Sequence, residues 1–228
     1  MKIEGKLIRG IFIERHNRFL GRVEVSGGEH FCYVPNPGRM VELLQPGMEV
    51  YLKEEQVSGR KTGYDLVFVR QSFLVSIDSR VPNRLTEEAI RLRLLPEFGS
   101  YDLVRAEYIH GDSRFDFLLS SGNRPMLLEV KSCTLVQRGR ALFPDAPTQR
   151  GRKHLHTLVA ALEQGFDAAV LFVIQRADAE IFSPNDETDP EFGAALRDAA
   201  SRGVNVYAYI CQVTLEEIDF LRKVLVVL

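Results

Sequence analysis

The hydrophobic periodicity of the chain changes near residue 80, and this change constrains the fold more than any other feature. In residues 1–75, apolar and polar residues alternate in short runs such as KLIRGIFIER and RFLGRVEVSG. Alternation with a period of two is typical of half-buried β-strands. After residue 80, apolar residues recur at helical spacing between short apolar runs. We therefore expect a β-rich part followed by a part that contains both helices and strands.

The first part, residues 1–80, is predicted to be a small β-barrel. The turn signals SGGEH and Gln45-Pro46-Gly47 separate its runs, and GYDLVFVR supplies the last strand. Many short strands within such a length indicate a barrel or sandwich, and an OB-type barrel is a natural candidate. A barrel of this type closes its own edges and offers a face for nucleic acid.

The second part, residues 81–228, is predicted to be an α/β layer domain, so that the whole chain is α+β. Its first helix is expected over 84–95, because Leu85, Ala89, Leu92 and Leu95 recur at helical spacing. Strands are expected near 103–109, 114–119, 126–131, 168–175 and 204–210, and further helices near 149–164, near 190–202 and from Leu215 onward.

Composition excludes several classes of protein. With 45% hydrophobic and 26% charged residues, the chain is neither fully disordered nor fibrous. It has no apolar run near the roughly 18 to 20 residues of a membrane span, and its charged start does not resemble a secretory signal, so a cytoplasmic location is expected. Cys32, Cys133 and Cys211 lack metal-ligand spacing and are expected to be reduced, packed thiols.

A hairpin in the second part brings two carboxylates together. Residues 120–125 form a turn signal between two apolar runs. If the turn is centred between Gly122 and Asn123, Asp116 lies opposite Glu129, and Lys131 shares their face. Two facing carboxylates repel unless a divalent cation lies between them, and oxygen ligands suit Mg²⁺ or Mn²⁺. The alternatives are a shifted register, or ordinary ion pairs with Arg114 and Lys131.

A third carboxylate is expected from the first helix. At 100° per residue, Glu88 falls in the arc of Leu85, Leu92 and Leu95, where a buried acid requires a partner. Glu88 would then face the Asp116/Glu129 pair, and Lys131 would assist an attacking water. This arrangement indicates metal-assisted hydrolysis of a phosphodiester.

A basic segment lies next to the predicted metal site. Asp145, Pro147 and Thr148 resemble a helix start, where free N–H groups favour a phosphate. His154 and His156 are two residues apart and make a poor shared metal site, although His154 remains a candidate for a phosphate or supporting contact. The basic side chains of this segment are predicted to bind DNA, and the alternative is that they simply form a solvated surface. They are Arg138, Arg140, Arg150, Arg152 and Lys153.

Several blocks together resemble the sugar fermentation stimulation protein A family over nearly the whole chain. They are VPNPGRM, RKTGYDL, VSIDSRVPN, SRFDF, LEVKSCTL and ALFPDAPTQRGRKHL. The resemblance implies an OB-like domain joined to a domain similar to PD-(D/E)XK nucleases with a mixed central sheet. It also implies DNA binding and a link to the regulation of maltose metabolism.

The nuclease motif carries over to particular residues. Its first-helix acid matches Glu88, its strand aspartate matches Asp116, and its E-x-K pair matches Glu129 and Lys131. This sequence departs from the motif at Phe115, which stands where the motif has proline.

Two functions follow from these residues and the resemblance. The first is a metal-dependent phosphodiesterase that acts on DNA. The second is a DNA-binding regulator that retains the nuclease scaffold without turnover, with binding that depends on salt and little on base sequence. A small-molecule enzyme or an interaction module is a third class. The sequence leaves the oligomeric state open.

Overall fold

The computed structural model describes residues 1–55, 62–122 and 124–228. Arg60 and Lys61, which begin the block RKTGYDL, lie outside the described residues. Asn123, at the centre of the predicted turn, also lies outside them.

The amino-terminal part forms a closed barrel. Its strands are β1 (Leu7–Asn17), β2 (Leu20–Val25), β3 (Gly28–Tyr33), β4 (Glu49–Glu54) and β5 (Tyr64–Arg70). The strands pair in the order β3-β2-β1-β4-β5, and a parallel pairing of Tyr33 with Asp65 joins β3 to β5. Alternate residues such as Phe12, Val23 and Leu52 point into the barrel and are buried. The alternating runs therefore predicted this part correctly.

A mixed sheet forms the centre of the second part. Its strands are β7 (Asp102–His110), β8 (Ser113–Ser121), β9 (Arg124–Cys133), β12 (Asp167–Ile174), β14 (Asn205–Val213) and β15 (Ile218–Lys223). They pair in the order β15-β14-β12-β9-β8-β7. Strands β9, β12 and β14 run parallel, whereas the outer pairings are antiparallel.

Helices cover both faces of this sheet. They are α1 (Val81–Arg91), α2 (Gln149–Glu163) and α3 (Pro190–Ser201), with a short 3-10 helix at Pro96–Phe98. Leu155, Leu158 and Leu196 from α2 and α3 pack in a core on one face. Leu85 and Ala89 of α1 pack on the other face, in a core that also contains Phe68 of the barrel. The α/β class predicted from the sequence is confirmed.

Short strands form a third, four-stranded sheet that was not predicted from the sequence. Its members pair in the order β10-β11-β13-β16. Because each has only two to four residues, none has a readable periodicity of its own. Their bounds are β10 (Val136–Gln137), β11 (Arg140–Phe143), β13 (Ile181–Pro184) and β16 (Leu225–Val226).

The helix predicted from Leu215 is wrong, because this segment forms β15 and β16. The backbone N–H of Thr214 donates to Glu217 O at 2.9 Å, which reverses the chain. Ile218 then pairs with Val213, and Asp219 with Gln212, at the edge of the sheet. The edge of β14 supplies hydrogen-bond partners, and this pairing decides in favour of a strand.

The first helix also differs from its prediction, and the difference moves Glu88. Helix α1 begins at Val81 and ends at Arg91, and Arg93 adopts a positive φ of 56°. Leu92 therefore leaves the helical stripe and is 61% exposed, while Thr86 and Ile90 complete the buried face. Glu88 lies on the exposed side of the helix.

Cys32, Cys133 and Cys211 are buried and unpaired, as expected of packed thiols. Within the described residues, no helix has the length and apolar character needed to cross a membrane.

Candidate metal and nucleic-acid site

The hairpin of β8 and β9 brings the two predicted carboxylates to the same cleft. Phe117 pairs with Leu128, and Leu118 with Leu127, which is the register predicted from the turn. The next residue along β8, Asp116, accepts a hydrogen bond at its Oδ2 from the backbone N–H of Val130 at 2.7 Å. Asp116 is thus held against the strand that carries Glu129.

Asp116 also contacts the first helix, but its partner there is the side-chain amide of Asn83 and not the predicted carboxylate of Glu88. Asn83 Nδ2 donates to Asp116 Oδ1 at 2.6 Å. Burial and the nearby Glu129 charge raise the pKa of Asp116 to about 6, although the Val130 N–H, Lys131 and Asn83 favour the ionised form. Asp116 is therefore a carboxylate whose negative charge lacks full compensation.

Glu129 is only 4% exposed, and its two oxygens have different surroundings. Oε1 accepts from Lys131 Nζ and lies 2.6 Å from His154 Nδ1. Burial opposes ionisation of Glu129, but Lys131 and His154 outweigh it and lower its pKa. Oε2 is buried and has no hydrogen-bond partner among the described residues.

His154 supports Glu129 from helix α2. An ionised carboxylate only accepts hydrogen bonds, so the proton lies on His154 Nδ1. Arg150 Nε, which always carries a hydrogen, lies 3.4 Å from His154 Nε2. The neutral Nδ1-protonated tautomer satisfies both contacts.

Ordinary ion pairs, the alternative to a metal site, account for these residues only in part. Lys131 does pair with Glu129. Arg114 pairs with Glu107 at 2.8 Å and not with Asp116.

The pair fits a divalent cation that keeps most of its water. Each carboxylate oxygen has two lone pairs, so both Asp116 oxygens retain capacity and Glu129 Oε2 is unused. Among the described residues, no cluster of three acidic, histidine or cysteine side chains could hold a metal ion. Mg²⁺ commonly binds through one or two carboxylates and several waters, so two carboxylates suffice.

These groups line an open cleft of about 480 Å³ between the two parts of the chain. The loop after β3 and Arg18 form one wall, and residues 143–148 form the opposite wall. Arg15 holds the loop, because its Nη1 donates to Gly38 O at 2.6 Å and its Nη2 to Asn36 O at 2.8 Å. A Cβ on Gly38 would lie 2.4 Å from Asp145 Oδ2, so any larger residue would force the Asp145 carboxylate to move.

The helix start predicted near Thr148 is confirmed. Thr148 is the N-cap of α2, and its Oγ1 accepts from the Gly151 N–H at 3.0 Å. Thr148 and Arg150 both line the cleft.

The predicted DNA-binding side chains are not gathered at one place. Only Arg150 lines the carboxylate cleft. Arg138 and Arg140 line a separate cavity formed with β13 and the C-terminal residues. Arg152 pairs with Asp189 at 2.8 Å, and Lys153 pairs with Asp112 at 2.8 Å.

Glu88 is not brought to the pair, in contrast to the prediction. Its side chain is half-exposed, and its Oε1 lies 3.4 Å from the terminal amino group of Met1. The helical arc predicted for it included Leu92 and Leu95, which lie beyond the end of α1.

Sequence reasoning missed Asn83 and gave His154 little weight. Asn83 carries no charge, and a search for acids on the first helix passes over it. The available signal was a polar residue directly after Pro82 at the helix start. Arg18 was also missed, because only the fold brings the β1–β2 turn to the cleft.

Comparisons with known proteins cover both parts of the chain. Residues 13–77 match the family model described as SfsA N-terminal OB domain, and residues 80–217 match the one described as Sugar fermentation stimulation protein RE domain. The sugar fermentation stimulation protein homolog of Caldanaerobacter subterraneus subsp. tengcongensis is 47% identical over 100% of both chains. The homolog of Acetivibrio thermocellus is 43% identical, also over 100% of both chains.

A solved structure shares the whole architecture. It is the structure of Pyrococcus furiosus SfsA in complex with Ca²⁺, with a TM-score of 0.91 and 28% sequence identity. The match covers 100% of this chain and 98% of that chain. The OB-like barrel and the α/β domain expected from the sequence are confirmed.

Proposed function

The chain belongs to the sugar fermentation stimulation protein family, and from that premise we propose that its cleft hydrolyses DNA phosphodiesters with a divalent cation. The observation that carries this proposal is the buried, unpartnered Oε2 of Glu129 beside Asp116 at the cleft. Leaving a buried carboxylate oxygen without a partner is costly, and a cation would remove that cost.

The cation would be Mg²⁺ or Mn²⁺, held by Asp116 and Glu129. It would act as a Lewis acid toward a phosphate oxygen and favour ionisation of an attacking water. Pyrococcus furiosus SfsA was solved in complex with a divalent cation, Ca²⁺, which supports this part of the proposal.

The protein's own side chains would position the reactants. Lys131 places a positive charge beside Glu129, where it can contact a phosphate or an attacking water. Asn83 orients Asp116, and His154 orients Glu129. Arg18 and Arg150 line the cleft and would contact the DNA backbone largely without regard to base sequence. A DNA substrate would place the protein in the cytoplasm.

The test combines cation binding with DNA cleavage. Purified protein would be titrated with Mn²⁺ by calorimetry and incubated with plasmid, single-stranded and branched DNA plus Mg²⁺ or Mn²⁺. We expect Asp116→Asn to reduce cleavage by about 100-fold or more, the scale for losing a group that stabilises charge in a transition state. Asp102→Asn, an exposed aspartate on the same sheet, serves as the control and should cleave normally. Equal cleavage by Asp116→Asn and wild type would refute the assignment.

A regulator without turnover is the second candidate, and one observation favours it. Lys131 balances the charge of Glu129 and His154 donates a hydrogen bond to its Oε1, so protein groups alone already stabilise this carboxylate in part. In this case the protein would bind DNA without cleaving it in any cation tested. Binding would weaken steeply with salt, because phosphate contacts release counterions. The family resemblance would then connect this binding to the control of sugar metabolism.

A further inference from the structure

The outer face of the barrel exposes aromatic side chains on β3 and in the β1–β2 turn. Phe19 is 42% exposed and Phe31 is 50% exposed. All phenylalanines of the chain lie in the described residues, and among them only Phe19 and Phe31 are exposed. Rings left in solvent in this way often mark a binding surface.

These rings form a row along β3 and the β1–β2 turn. Phe31 and Tyr33 are two residues apart on β3, so they point to the same face about 6.6 Å apart. Phe19 stacks on Tyr33 with ring centroids 6.1 Å apart and an interplanar angle of 20°. His16 contacts Phe31 edge-on at 6.2 Å. We refer to Phe31, Tyr33 and Phe19 together as the aromatic row.

The aromatic row is adjacent in the chain to residues that line the carboxylate cleft. Arg18, the residue before Phe19, lines that cleft. The chain after Tyr33 continues into the loop that forms the cleft wall, and the Val34 N–H donates to Phe19 O at 2.9 Å. The turn and the loop are therefore joined where the aromatic row meets the cleft.

The charges along this face favour an anionic ligand at the end nearest the cleft. Arg18 and Arg39 are exposed there. Farther along the strands, Arg22 pairs with Glu14 at 3.2 Å and with Glu29 at 3.0 Å, which offsets one of these two negative charges. Stacking rings beside exposed arginines are the combination that binds single-stranded nucleic acid.

We propose that the aromatic row binds single-stranded nucleic acid by base stacking and leads the strand into the carboxylate cleft. The delivery of the strand rests on the proposed function, whereas the binding does not. In a duplex, the base faces are already covered by their neighbours, so exposed rings can stack only on unpaired bases. The preferred ligand is therefore a single strand or an unpaired segment beside a duplex.

The experiment measures binding by fluorescence anisotropy in EDTA, so that cleavage cannot contribute. The probes are a labelled thymidine oligonucleotide and a labelled hairpin duplex of equal length. Phe31→Leu and Phe19→Leu keep an apolar side chain but remove the ring. We expect each to weaken binding of the thymidine oligonucleotide about tenfold, within the range for loss of one base–aromatic stack, and duplex binding less than about twofold.

Two further variants keep the proposal falsifiable. Phe31→Trp retains a stacking ring and should bind the oligonucleotide as wild type does. Ile109→Ala removes an exposed apolar side chain from β7 and should bind both probes as wild type does. Wild-type oligonucleotide binding by Phe31→Leu, or equal weakening for both probes, would overturn the proposal.

This binding experiment tests the aromatic row separately from the proposed hydrolysis of DNA. If wild type never cleaves DNA but Phe31→Leu still loses single-strand binding selectively, the proposed hydrolysis fails and the aromatic row stands. If wild type cleaves DNA and Phe31→Leu binds single strands normally, the aromatic row is refuted and the proposed hydrolysis stands.

Discussion

At the scale of single residues, Glu129 shows how a charge is kept in the interior of this protein. A buried carboxylate is stable only when charged or hydrogen-bonding partners replace the water it has lost. Lys131 and His154 supply these partners at Oε1, from β9 and α2. The other oxygen, Oε2, has no hydrogen-bond partner among the described residues, so the same residue is both anchored and incompletely satisfied.

The partnership between His154 and Glu129 is testable through stability. We expect His154→Ala to lower the free energy of unfolding by about 1 to 3 kcal/mol, because it leaves a buried carboxylate with one partner fewer. Urea unfolding followed by circular dichroism at pH 7 measures the change. His156, two residues along the same helix, is exposed and provides the control. His156→Ala should change stability by less than about 0.5 kcal/mol, and equal losses in both variants would contradict the role given to His154.

At the scale of elements, Asp189 joins the starts of two helices. Its Oδ1 accepts from the Phe192 N–H at 2.9 Å and so caps α3. Its Oδ2 accepts from the Thr148 N–H at 2.7 Å, at the start of α2. Arg152 of α2 completes the contact at 2.8 Å. One carboxylate therefore sets the position of α2, the helix that carries Arg150 to the cleft and His154 to Glu129.

Asp189 predicts a pH-dependent contribution to stability. Burial opposes its ionisation, but the two backbone N–H groups and Arg152 lower its pKa below the usual value. The unfolded chain has an ordinary aspartate pKa of about 3.9. The stabilisation is therefore fully present above that pH and is lost as pH falls through the lower pKa of the folded state.

The measurement compares wild type with Asp189→Ala in urea at several pH values. At pH 7 the variant should be less stable by about 2 to 3 kcal/mol, since it loses a helix cap and a charged hydrogen bond. The difference should shrink as pH falls below about 4. Asp198→Asn, an exposed aspartate on α3, should stay within about 0.5 kcal/mol of wild type at pH 7. A difference that does not vary with pH would show that the charge of Asp189 contributes nothing.

At the scale of the whole molecule, the barrel and the α/β domain share a core and a buried polar link. Strand β6 (Leu74–Ser76) leads from the barrel toward the mixed sheet. Gln175, at the end of β12, is fully buried and accepts at its Oε1 from Ser76 Oγ at 2.8 Å. Its Nε2 donates to Ser132 Oγ at 2.9 Å and to Asp78 O at 3.2 Å. Both parts should therefore unfold together.

Replacing Gln175 tests this link. We expect wild type to unfold in one transition, because the shared core leaves neither part complete alone. Gln175→Ala should lower stability by about 2 to 4 kcal/mol, since it creates a cavity and leaves buried hydroxyl and carbonyl groups without partners. Circular dichroism in urea measures both the midpoint and the number of transitions. The exposed Gln164 is the matched control, and Gln164→Ala should have little effect. Separate transitions in wild type would refute the link.

Local patterns were enough to predict much of this fold. Alternation over residues 1–75 predicted the barrel, and the strands near 114–119 and 126–131 were placed correctly. Turn residues predicted the hairpin register from Phe117 to Ser121, and the hairpin carries both Asp116 and Glu129 to the cleft. These features depend on neighbours in sequence, where side-chain period and turn chemistry act directly. The same reasoning failed for Glu88, because the end of α1 at Arg91 was not visible in the spacing of its leucines.

The sequence by itself therefore determined the barrel, the longer helices and strands of the second part as far as β14, and the hairpin that carries the carboxylate pair. Only the tertiary structure decided what surrounds that pair. Asn83 and Arg18 line the cleft and His154 contacts Glu129, from three separate segments. Strand β15 forms because it pairs with the edge of β14. Periodicity and turns record contacts between residues close in the chain, whereas a cleft and a sheet edge arise from contacts between distant segments that no local pattern carries.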